Sequence, residues 1–198
     1  MNEGLHLKYK KILEILPDVA ECAGDELVLA GGTALALFHL KHRISVDLDF
    51  IPLKNTEEAA KEKLKGKLTK RGYRTQRSAF SNQFVIQFEN TAIKVEIFKP
   101  NIKLVKIEKL MVGEIPLMVA SENDILKMKK EAYSERRAAR DLFDIYCIVR
   151  ESNLQTLLDT IKKHGIPEDL TELEGMIENS ADYKSFIKVV KNASKTGS

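Results

Sequence analysis

One segment, AGGTALALFHLKHRISVDLDFI (residues 30–51), constrains the fold of this 198-residue chain more than any other. Gly31 and Gly32 end a short apolar run and precede a helical pattern, and a strand that turns directly into a helix lets backbone amides approach an anion closely. Polar and apolar residues then alternate from Ser45 to Phe50, which predicts a second strand. The segment therefore predicts a strand, a glycine turn, a helix and another strand in close succession.

The second strand carries two aspartates. Side chains two positions apart in a strand point to the same face, so Ser45, Asp47 and Asp49 share one face and the apolar residues between them share the other. An ordinary amphipathic strand would explain this alternation. However, aspartate is a poor strand former, and neighbouring carboxylates repel each other unless a positive charge lies between them. Carboxylate oxygens favour Mg²⁺ or Mn²⁺, so Asp47 and Asp49 are predicted metal ligands.

Hydrophobic periodicity divides the chain near residue 120. The predicted strands are 27–29, 46–51, 73–77, 83–89, 92–99, 107–111 and 115–119. The predicted helices before residue 120 are 7–22 with a kink or break at Pro17, 34–40 capped by Thr33, and 56–72. From a capping box formed by Ser121 and Asp124 onward, the pattern is helical. We therefore expect an α/β domain, residues 1–119, and an α-helical domain, residues 120–198, packed on it.

The composition excludes several other classes of protein. No run of eighteen apolar residues occurs and the N-terminus is a charged helical pattern, so neither a membrane span nor a secretory signal is predicted, and we expect a cytoplasmic protein. Cys22 and Cys147 lie in apolar helical contexts without metal-ligand spacing, and the four histidines form no ligand pattern. A zinc enzyme is therefore not expected.

A basic run lies between Lys61 and Arg77, in a chain whose net charge is only +3. Its eight cations are interrupted by Glu62 alone. Such a run is more often a solvated helix face, but it is also typical of a patch that contacts a polyanion. The sequence leaves both interpretations open.

Two further motifs complete a resemblance to a known family. KVEIF (residues 94–98) places Glu96 on a strand, and KKEAYSERRAARDLFDIY (residues 129–146) contains a KxxA motif, an arginine and an RDxxD motif. Together with GGTAL, HRxS and DxD in the opening segment, these motifs resemble the AbiEii/AbiGii-type toxin family of nucleotidyltransferases, which are related to DNA polymerase β. The resemblance implies a polymerase β-like domain with a mixed sheet, followed by a helical domain.

The resemblance also implies roles for individual residues. Three acids would hold the metal, namely Asp47, Asp49 and Glu96. Lys129 and Asp144 would join them as catalytic residues. The residues implied to bind the nucleotide are Gly31, Gly32, Thr33, Arg43, Ser45, Lys129, Arg136, Arg140 and Asp141.

The RDxxD segment can also be interpreted physically. If one helix runs from Lys129 to Asp144, then Lys129, Arg136, Arg140 and Asp144 fall within a narrow arc, and three cations on one face could hold a triphosphate. The alternative is that these charges form ordinary surface ion pairs of small energetic value.

The expected function is metal-dependent transfer of a nucleotide from a nucleoside triphosphate (NTP) to an acceptor hydroxyl. Toxins of the resembled family are linked to modification of tRNA 3′ ends and are neutralised by a cognate antitoxin, which would make the run from Lys61 to Arg77 a tRNA contact. The alternatives are an acceptor on a protein or on a small molecule such as an antibiotic, or a catalytically silent protein that binds nucleotide or a partner.

Overall fold

The structure is a computed structural model that describes residues 3–177 and 179–195. Within these residues, seven strands form one mixed sheet in the order β3-β4-β5-β2-β1-β7-β6. The strands are β1 (Leu27–Ala30), β2 (Asp47–Pro52), β3 (Arg74–Arg77), β4 (Gln83–Gln87), β5 (Ala92–Ile97), β6 (Ile107–Val112) and β7 (Ile115–Ala120). Each lies where the alternating pattern predicts a strand.

Helices flank the sheet and form the C-terminal half. They are α1 (Glu3–Ala23), α2 (Gly31–Ala34), α3 (Glu57–Lys70), α4 (Glu122–Arg136), α5 (Ala139–Val149), α6 (Leu154–His164) and α7 (Ser180–Lys195). A π-helix, Leu35–Leu40, continues α2, and α1 runs through Pro17 without a break. The predicted fold class, a mixed α/β sheet followed by helices, is confirmed. None of the helices in the described ranges is long and apolar enough to cross a membrane.

The two faces of the sheet differ in what covers them. Leu48 and Phe50 of β2 and Val95 of β5 are fully buried on one face, where they pack with α1 and α3 in the first apolar cluster. A second apolar cluster lies among α5, α6 and α7, and it includes Phe143 and Phe186. The polar residues of β2 and β5 occupy the opposite face of the sheet.

The strand register brings the acids of two strands together. β5 runs parallel to β2, with Asp47 opposite Lys94 and Asp49 opposite Glu96. Residues opposite one another in a ladder point to the same face. The carboxylates of Asp47, Asp49 and Glu96 therefore share one face of two neighbouring strands.

The cap expected at Thr33 is wrong. The helix begins earlier, at Gly31, with Ala30 in the N-cap position. Thr33 is buried inside the helix, and its hydroxyl bonds the backbone carbonyl of Asp47 and the hydroxyl of Ser45. Thr33 lies two residues inside the helix, where it cannot serve as the N-cap, and its hydroxyl instead ties the helix to the start of β2.

The single helix from Lys129 to Asp144, which the physical interpretation of the RDxxD segment assumed, is not formed. α4 ends at Arg136, Arg137 adopts the left-handed conformation with φ +46°, and Ala138 is extended before α5 begins. Left-handed and extended residues cannot continue a right-handed helix. The charged residues of α4 and α5 therefore do not form one helical stripe, and their proximity depends on how the two helices pack.

The capping box at the start of α4 is only half formed. The hydroxyl of Ser121 accepts a hydrogen bond from the amide of Asp124 at 3.3 Å, as predicted. The Asp124 carboxylate instead accepts bonds from the amides of Val105 and Lys106, while the amide of Ser121 bonds the carbonyl of Lys106. Asp124 thereby fastens the segment before β6 to the start of α4.

Candidate active site

A cavity lies where the carboxylate face of β2 and β5 meets α4. Ten residues singled out in the sequence line it: Gly31, Gly32, Arg43, Ser45, Asp47, Asp49, Glu96, Lys129, Arg136 and Arg140. Three others do not line it, because Thr33, Asp141 and Asp144 are fully buried behind its wall. Residues that the sequence did not single out also line it, among them Lys94, Phe98, Met128 and Met176.

Lys94 is the charged residue of this cavity that sequence reasoning missed. Its Nζ lies 3.4 Å from Asp47 Oδ2 and 3.4 Å from Glu96 Oε2. Burial lowers the pKa of Lys94, but the charges of Asp47, Asp49 and Glu96 outweigh it and raise that pKa. The sequence could have identified Lys94, because it precedes Glu96 by two positions in the same strand and therefore points to the same face of the sheet.

The carboxyl group of Asp49 has a strongly raised pKa. Burial is the main cause, and the charge of Asp47 adds to it, so the pKa of Asp49 is raised to about 6. Lys94 partly offsets this shift. The face therefore holds more negative charge than its own cations neutralise, which is the environment that a divalent cation relieves.

The donor set fits a hard divalent cation in its chemistry. Asp47, Asp49 and Glu96 offer carboxylate oxygens, the ligands that Mg²⁺ and Mn²⁺ prefer. In the part of the chain that the structure describes, no group of three or more His, Cys, Asp or Glu side chains is arranged to hold a metal ion. Lys94 contacts two of these three acids, so metal coordination requires its ammonium group to move aside.

The glycine turn fits closely against the carboxylate strand. Gly31 has φ +66°, and a Cβ built on it would overlap Oδ2 of Asp49. A Cβ on Gly32 would lie 2.7 Å from Arg43 Nη2 and 2.8 Å from Ser45 Oγ. The turn can approach β2 this closely because neither residue has a side chain.

A buried ionic cluster forms the wall behind the turn. Asp144 is fully buried and accepts hydrogen bonds from Arg43 Nε at 2.6 Å, Arg43 Nη2 at 2.7 Å and His42 Nε2 at 2.7 Å. Lys129 Nζ lies 2.7 Å from its second oxygen. Burial would raise the pKa of Asp144, but Arg43 and Lys129 hold it well below its usual range. The carboxylate is therefore ionised and fully engaged.

Asp141 extends the cluster to α4. It accepts bonds from Lys129 Nζ at 2.9 Å and from Arg136 Nε at 2.7 Å. Burial would raise the pKa of Asp141, but the charges of Lys129 and Arg136 outweigh this effect and lower that pKa. Arg140 pairs instead with Glu172 at 3.3 Å. Lys129 and Arg136 thus reach the cavity from positions fixed by two acids of α5.

The basic run from Lys61 to Arg77 is largely engaged within the chain. Lys61 bonds the carbonyl of Ser81, Lys63 pairs with Glu26, Lys65 with Glu62, Lys67 bonds the carbonyl of Cys22, and Arg71 pairs with Asp18 and Glu21. Lys70, Arg74 and Arg77 have no ion-pair partner within residues 3–177 and 179–195. Most of the run is therefore a structural helix face.

Paired acids on one strand, a third acid on the parallel neighbouring strand, a glycine turn and the charged helices α4 and α5 are thus gathered at one cavity, an arrangement that suits the transfer of a nucleotide. The family model for the nucleotidyl transferase AbiEii toxin of type IV toxin-antitoxin systems matches residues 14–190, and the chain belongs to this family. The predicted family is thus confirmed, and the protein is a nucleotidyltransferase by family.

The chain is also similar to three individual proteins. An uncharacterized protein of Aquifex aeolicus (strain VF5) is 26% identical over 190 residues, 95% of this chain and 81% of that protein. The crystal structure of JHP933 from Helicobacter pylori matches with a TM-score of 0.63 and 18% identity, covering 100% of this chain and 93% of the other. An antigenic nucleotidyltransferase-like protein from Paracoccidioides brasiliensis matches with a TM-score of 0.56 and 16% identity, over 92% and 98% of the two chains. At these identities, the structural matches establish the shared fold alone.

Proposed function

We propose that this protein transfers a nucleotide from an NTP to an acceptor hydroxyl of an RNA, with tRNA as the acceptor, and that the reaction depends on Mg²⁺ or Mn²⁺. The observation that carries the proposal is the cavity itself. Asp47, Asp49 and Glu96 form one side of it, while Lys129 and Arg136 approach from α4. Carboxylates that can hold a metal ion thus lie across the cavity from basic side chains that can bind phosphates.

Asp47, Asp49 and Glu96 are the residues that would hold the divalent cation. When bound, the cation supplies positive charge that lowers the pKa of the acceptor hydroxyl and neutralises the phosphates. Glu96 is the carboxylate best supplied with neutral donors, since Asn82 Nδ2 and Gln83 Nε2 bond it at 3.2 and 2.9 Å. These two amides orient the third acid toward the cavity.

The phosphates are assigned to the opposite side of the site. The amides of Gly31 and Gly32, the hydroxyl of Ser45, and the side chains of Lys129, Arg136 and Arg140 line this wall. Fixed donors and cations of this kind stabilise charge that builds up on a transferring phosphoryl group. A bond forms between the acceptor oxygen and the α-phosphorus, and the bond from that phosphorus to the bridging oxygen breaks. Pyrophosphate leaves with the electron pair, and the hydroxyl proton passes to Glu96.

Asp144 and Asp141 are proposed to position other groups and not to take part in the chemistry. Both are buried behind the cavity wall and saturated with cations. Asp144 holds Arg43 against Gly32, and together with Asp141 it fixes the ammonium group of Lys129. Arg43 and Thr33 likewise support the turn from behind.

The type IV toxin-antitoxin family implies a cognate antitoxin as a partner. RNA as the acceptor is supported by Arg74, which lies on the same sheet face as the acids and has no ion-pair partner among the described residues, and by the polar surface next to the acids. The protein is proposed to act in the cytoplasm, where NTPs and tRNA are both abundant.

The test is a transfer assay. The protein is incubated with each α-labelled NTP in turn, Mg²⁺ and total tRNA, and label in the RNA is measured with and without a chelator. We expect label from at least one NTP, lost with the chelator and with Asp47→Ala. Equal labelling by the Asp47→Ala variant would show that this cavity is not the active site. NTP binding without label on RNA, protein or small-molecule acceptors would identify a nucleotide-binding protein.

A further inference from the structure

The carboxylate face of the sheet continues past Glu96 as an open polar surface. The register pairs Glu96 with Gln83 and Lys94 with Val85 on β4, and the same face continues on β3 with Gln76 and Arg74. We call the residues Arg74, Gln76, Gln83, Val85 and Gln87 the outer sheet face. None of these five residues is buried, whereas Phe84 and Ile86, which point the other way, are fully buried.

On the other side of the carboxylates, the same face is closed. Ala30 of β1 lies opposite Asp49, and both Ala30 and Val28 are fully buried. The glycine turn follows directly after β1, and the phosphate-binding wall lies on that side. The site is therefore covered toward β1 and open toward β5, β4 and β3.

The reaction geometry assigns an occupant to the open side. In phosphoryl transfer, the attacking and leaving oxygens lie roughly in line on opposite sides of the phosphorus. With the triphosphate on the β1 side of Asp47 and Asp49, pyrophosphate departs toward β1, and the attacking hydroxyl must arrive from β5. An acceptor that is a polymer then extends over β4 and β3.

The chemistry of the outer sheet face suits a single nucleic-acid strand. Three of its five residues are glutamines, one is an arginine without an ion-pair partner within the described residues, and none is acidic. The Gln83 amide donates to Glu96 and the Gln87 amide donates to the carbonyl of Phe88. A glutamine amide such as that of Gln76 can bond a base edge, and an arginine can bond a phosphate. Phe80, which is 64% exposed, lies in the β3–β4 loop two residues before Asn82, which bonds Glu96. An exposed aromatic ring in this loop offers a stacking surface for an unpaired base.

We propose that the outer sheet face binds the single-stranded 3′ end of the acceptor RNA, with Arg74 on its phosphate backbone and its terminal hydroxyl at Glu96. This inference rests on the nucleotidyl transfer proposed above. The proposed RNA surface is not the basic run from Lys61 to Arg77 that the sequence analysis considered as a tRNA contact. Most of that run belongs to α3, which packs on the other face of the sheet. The hydroxyl of Thr69 on α3 bonds that of Thr75, which lies between Arg74 and Gln76 and points away from them.

Strand β3 provides a matched pair of variants. Arg74 and Arg77 are both exposed, but Arg74 shares the face of Gln87 and Arg77 shares the opposite face with Phe84. Arg74→Glu and Arg77→Glu therefore make the same charge change on the same strand, on opposite faces. We expect Arg74→Glu to weaken binding of a labelled single-stranded oligoribonucleotide by about tenfold and to reduce its salt dependence by about one unit of slope. Arg77→Glu should change both much less.

Binding is measured by fluorescence anisotropy with the single strand and with the same strand annealed to its complement. Equal weakening by the two variants, or none by Arg74→Glu, would overturn the proposal, as would stronger binding of the duplex. Loss of antitoxin binding with unchanged RNA binding would also overturn it and assign the surface to a protein partner. A second measurement uses Phe80→Trp, the only tryptophan in the chain, whose emission should be quenched by the single strand.

The proposed function can fail separately. NTP affinity, measured by calorimetry, should be the same in Arg74→Glu and in the wild type, while KM for the RNA should rise and kcat should change little. If RNA binds the outer sheet face but no label is transferred, the nucleotidyl transfer fails and the binding surface stands. If label is transferred but Arg74→Glu leaves KM for RNA unchanged, only this inference fails.

Discussion

Gly31 must be glycine for two independent reasons. Its φ of +66° disfavours any residue with a side chain, and a Cβ would overlap a carboxylate oxygen of Asp49. We expect Gly31→Ala to lower the free energy of unfolding by about 1–2 kcal/mol from the left-handed conformation alone, and to lower transfer activity because Asp49 must move. Urea unfolding and the transfer assay test both effects.

Gly66 is the control for this prediction. It lies in the middle of α3 with nothing within 4 Å of a built Cβ. Gly66→Ala should raise stability by up to about 1 kcal/mol, because glycine is unfavourable in a helix interior. If Gly31→Ala matched Gly66→Ala in stability and activity, the close approach of the turn to β2 would not matter.

Asp49 gives the site a pH dependence with a definite sign. Its pKa of about 6 in the folded protein lies above the value of about 3.9 expected for an unfolded chain, so the folded state binds the proton more tightly. Below about pH 4 the carboxyl group is protonated in both states and does not destabilise the folded protein. As the pH rises through about 6, the group ionises in the folded protein and the free energy of unfolding falls. Asp49→Asn removes this loss.

The variant should accordingly be more stable than the wild type at pH 7.5, in metal-free buffer, and the difference should shrink toward pH 4. Thermal unfolding across this pH range measures it. Asp159→Asn is the control, because it makes the same substitution on α6, away from the site, at a carboxylate that accepts a hydrogen bond from Gln155. If the difference in stability between Asp49→Asn and the wild type did not change with pH, the raised pKa of Asp49 would be contradicted.

At the scale of elements, the break between α4 and α5 is what brings the charges of the RDxxD segment to the site. Arg137 in the left-handed conformation and extended Ala138 turn the chain, so that Asp141 and Asp144 of α5 face Lys129 and Arg136 of α4. In a single straight helix, Lys129 and Asp144 would lie about 22 Å apart along the axis at 1.5 Å per residue. Their Nζ and Oδ2 atoms are 2.7 Å apart in the structure.

Arg137→Gly tests the break. Glycine adopts the left-handed conformation without the cost that arginine incurs, and the ion pair of Arg137 with Glu168 is exposed and contributes little. We expect the variant to be more stable by about 0.5–1 kcal/mol. Lys130→Gly, at an exposed position inside α4, should instead lose about 1 kcal/mol. Urea unfolding measures both free energies. If both variants were less stable than the wild type, the left-handed conformation of residue 137 would be contradicted.

At the scale of the whole molecule, the site lies between the two halves of the chain. The amide of Ile44 bonds the carbonyl of Met176 at 2.7 Å, and Leu40 and Ile148 pack against both apolar clusters. Asp144, from the helical half, holds Arg43, from the α/β half. The division into domains at residues 1–119 and 120–198 stays a prediction.

Asp144→Asn tests this connection. Removing the charge leaves Arg43 and Lys129 without their shared buried partner, and breaking a buried ion pair in this way costs about 3–5 kcal/mol. We expect a loss of this size in urea unfolding, together with a higher KM for NTP. Glu168→Gln, which breaks the exposed pair with Arg137, should cost less than about 1 kcal/mol. Similar small losses in both variants would show that the cluster does not join the halves.

The sequence by itself determined the strands, the glycine turn and the family, because each depends on neighbours along the chain. Alternation placed Asp47 and Asp49 on one face and Glu96 on another strand, and the same rule applied to Lys94 would have added that residue. The tertiary structure alone decided the register that sets Asp49 opposite Glu96, the break at Arg137, and the burial of Asp141 and Asp144 behind the cavity. These features depend on packing between segments distant in the chain, and a pattern of nearby residues carries no information about that packing.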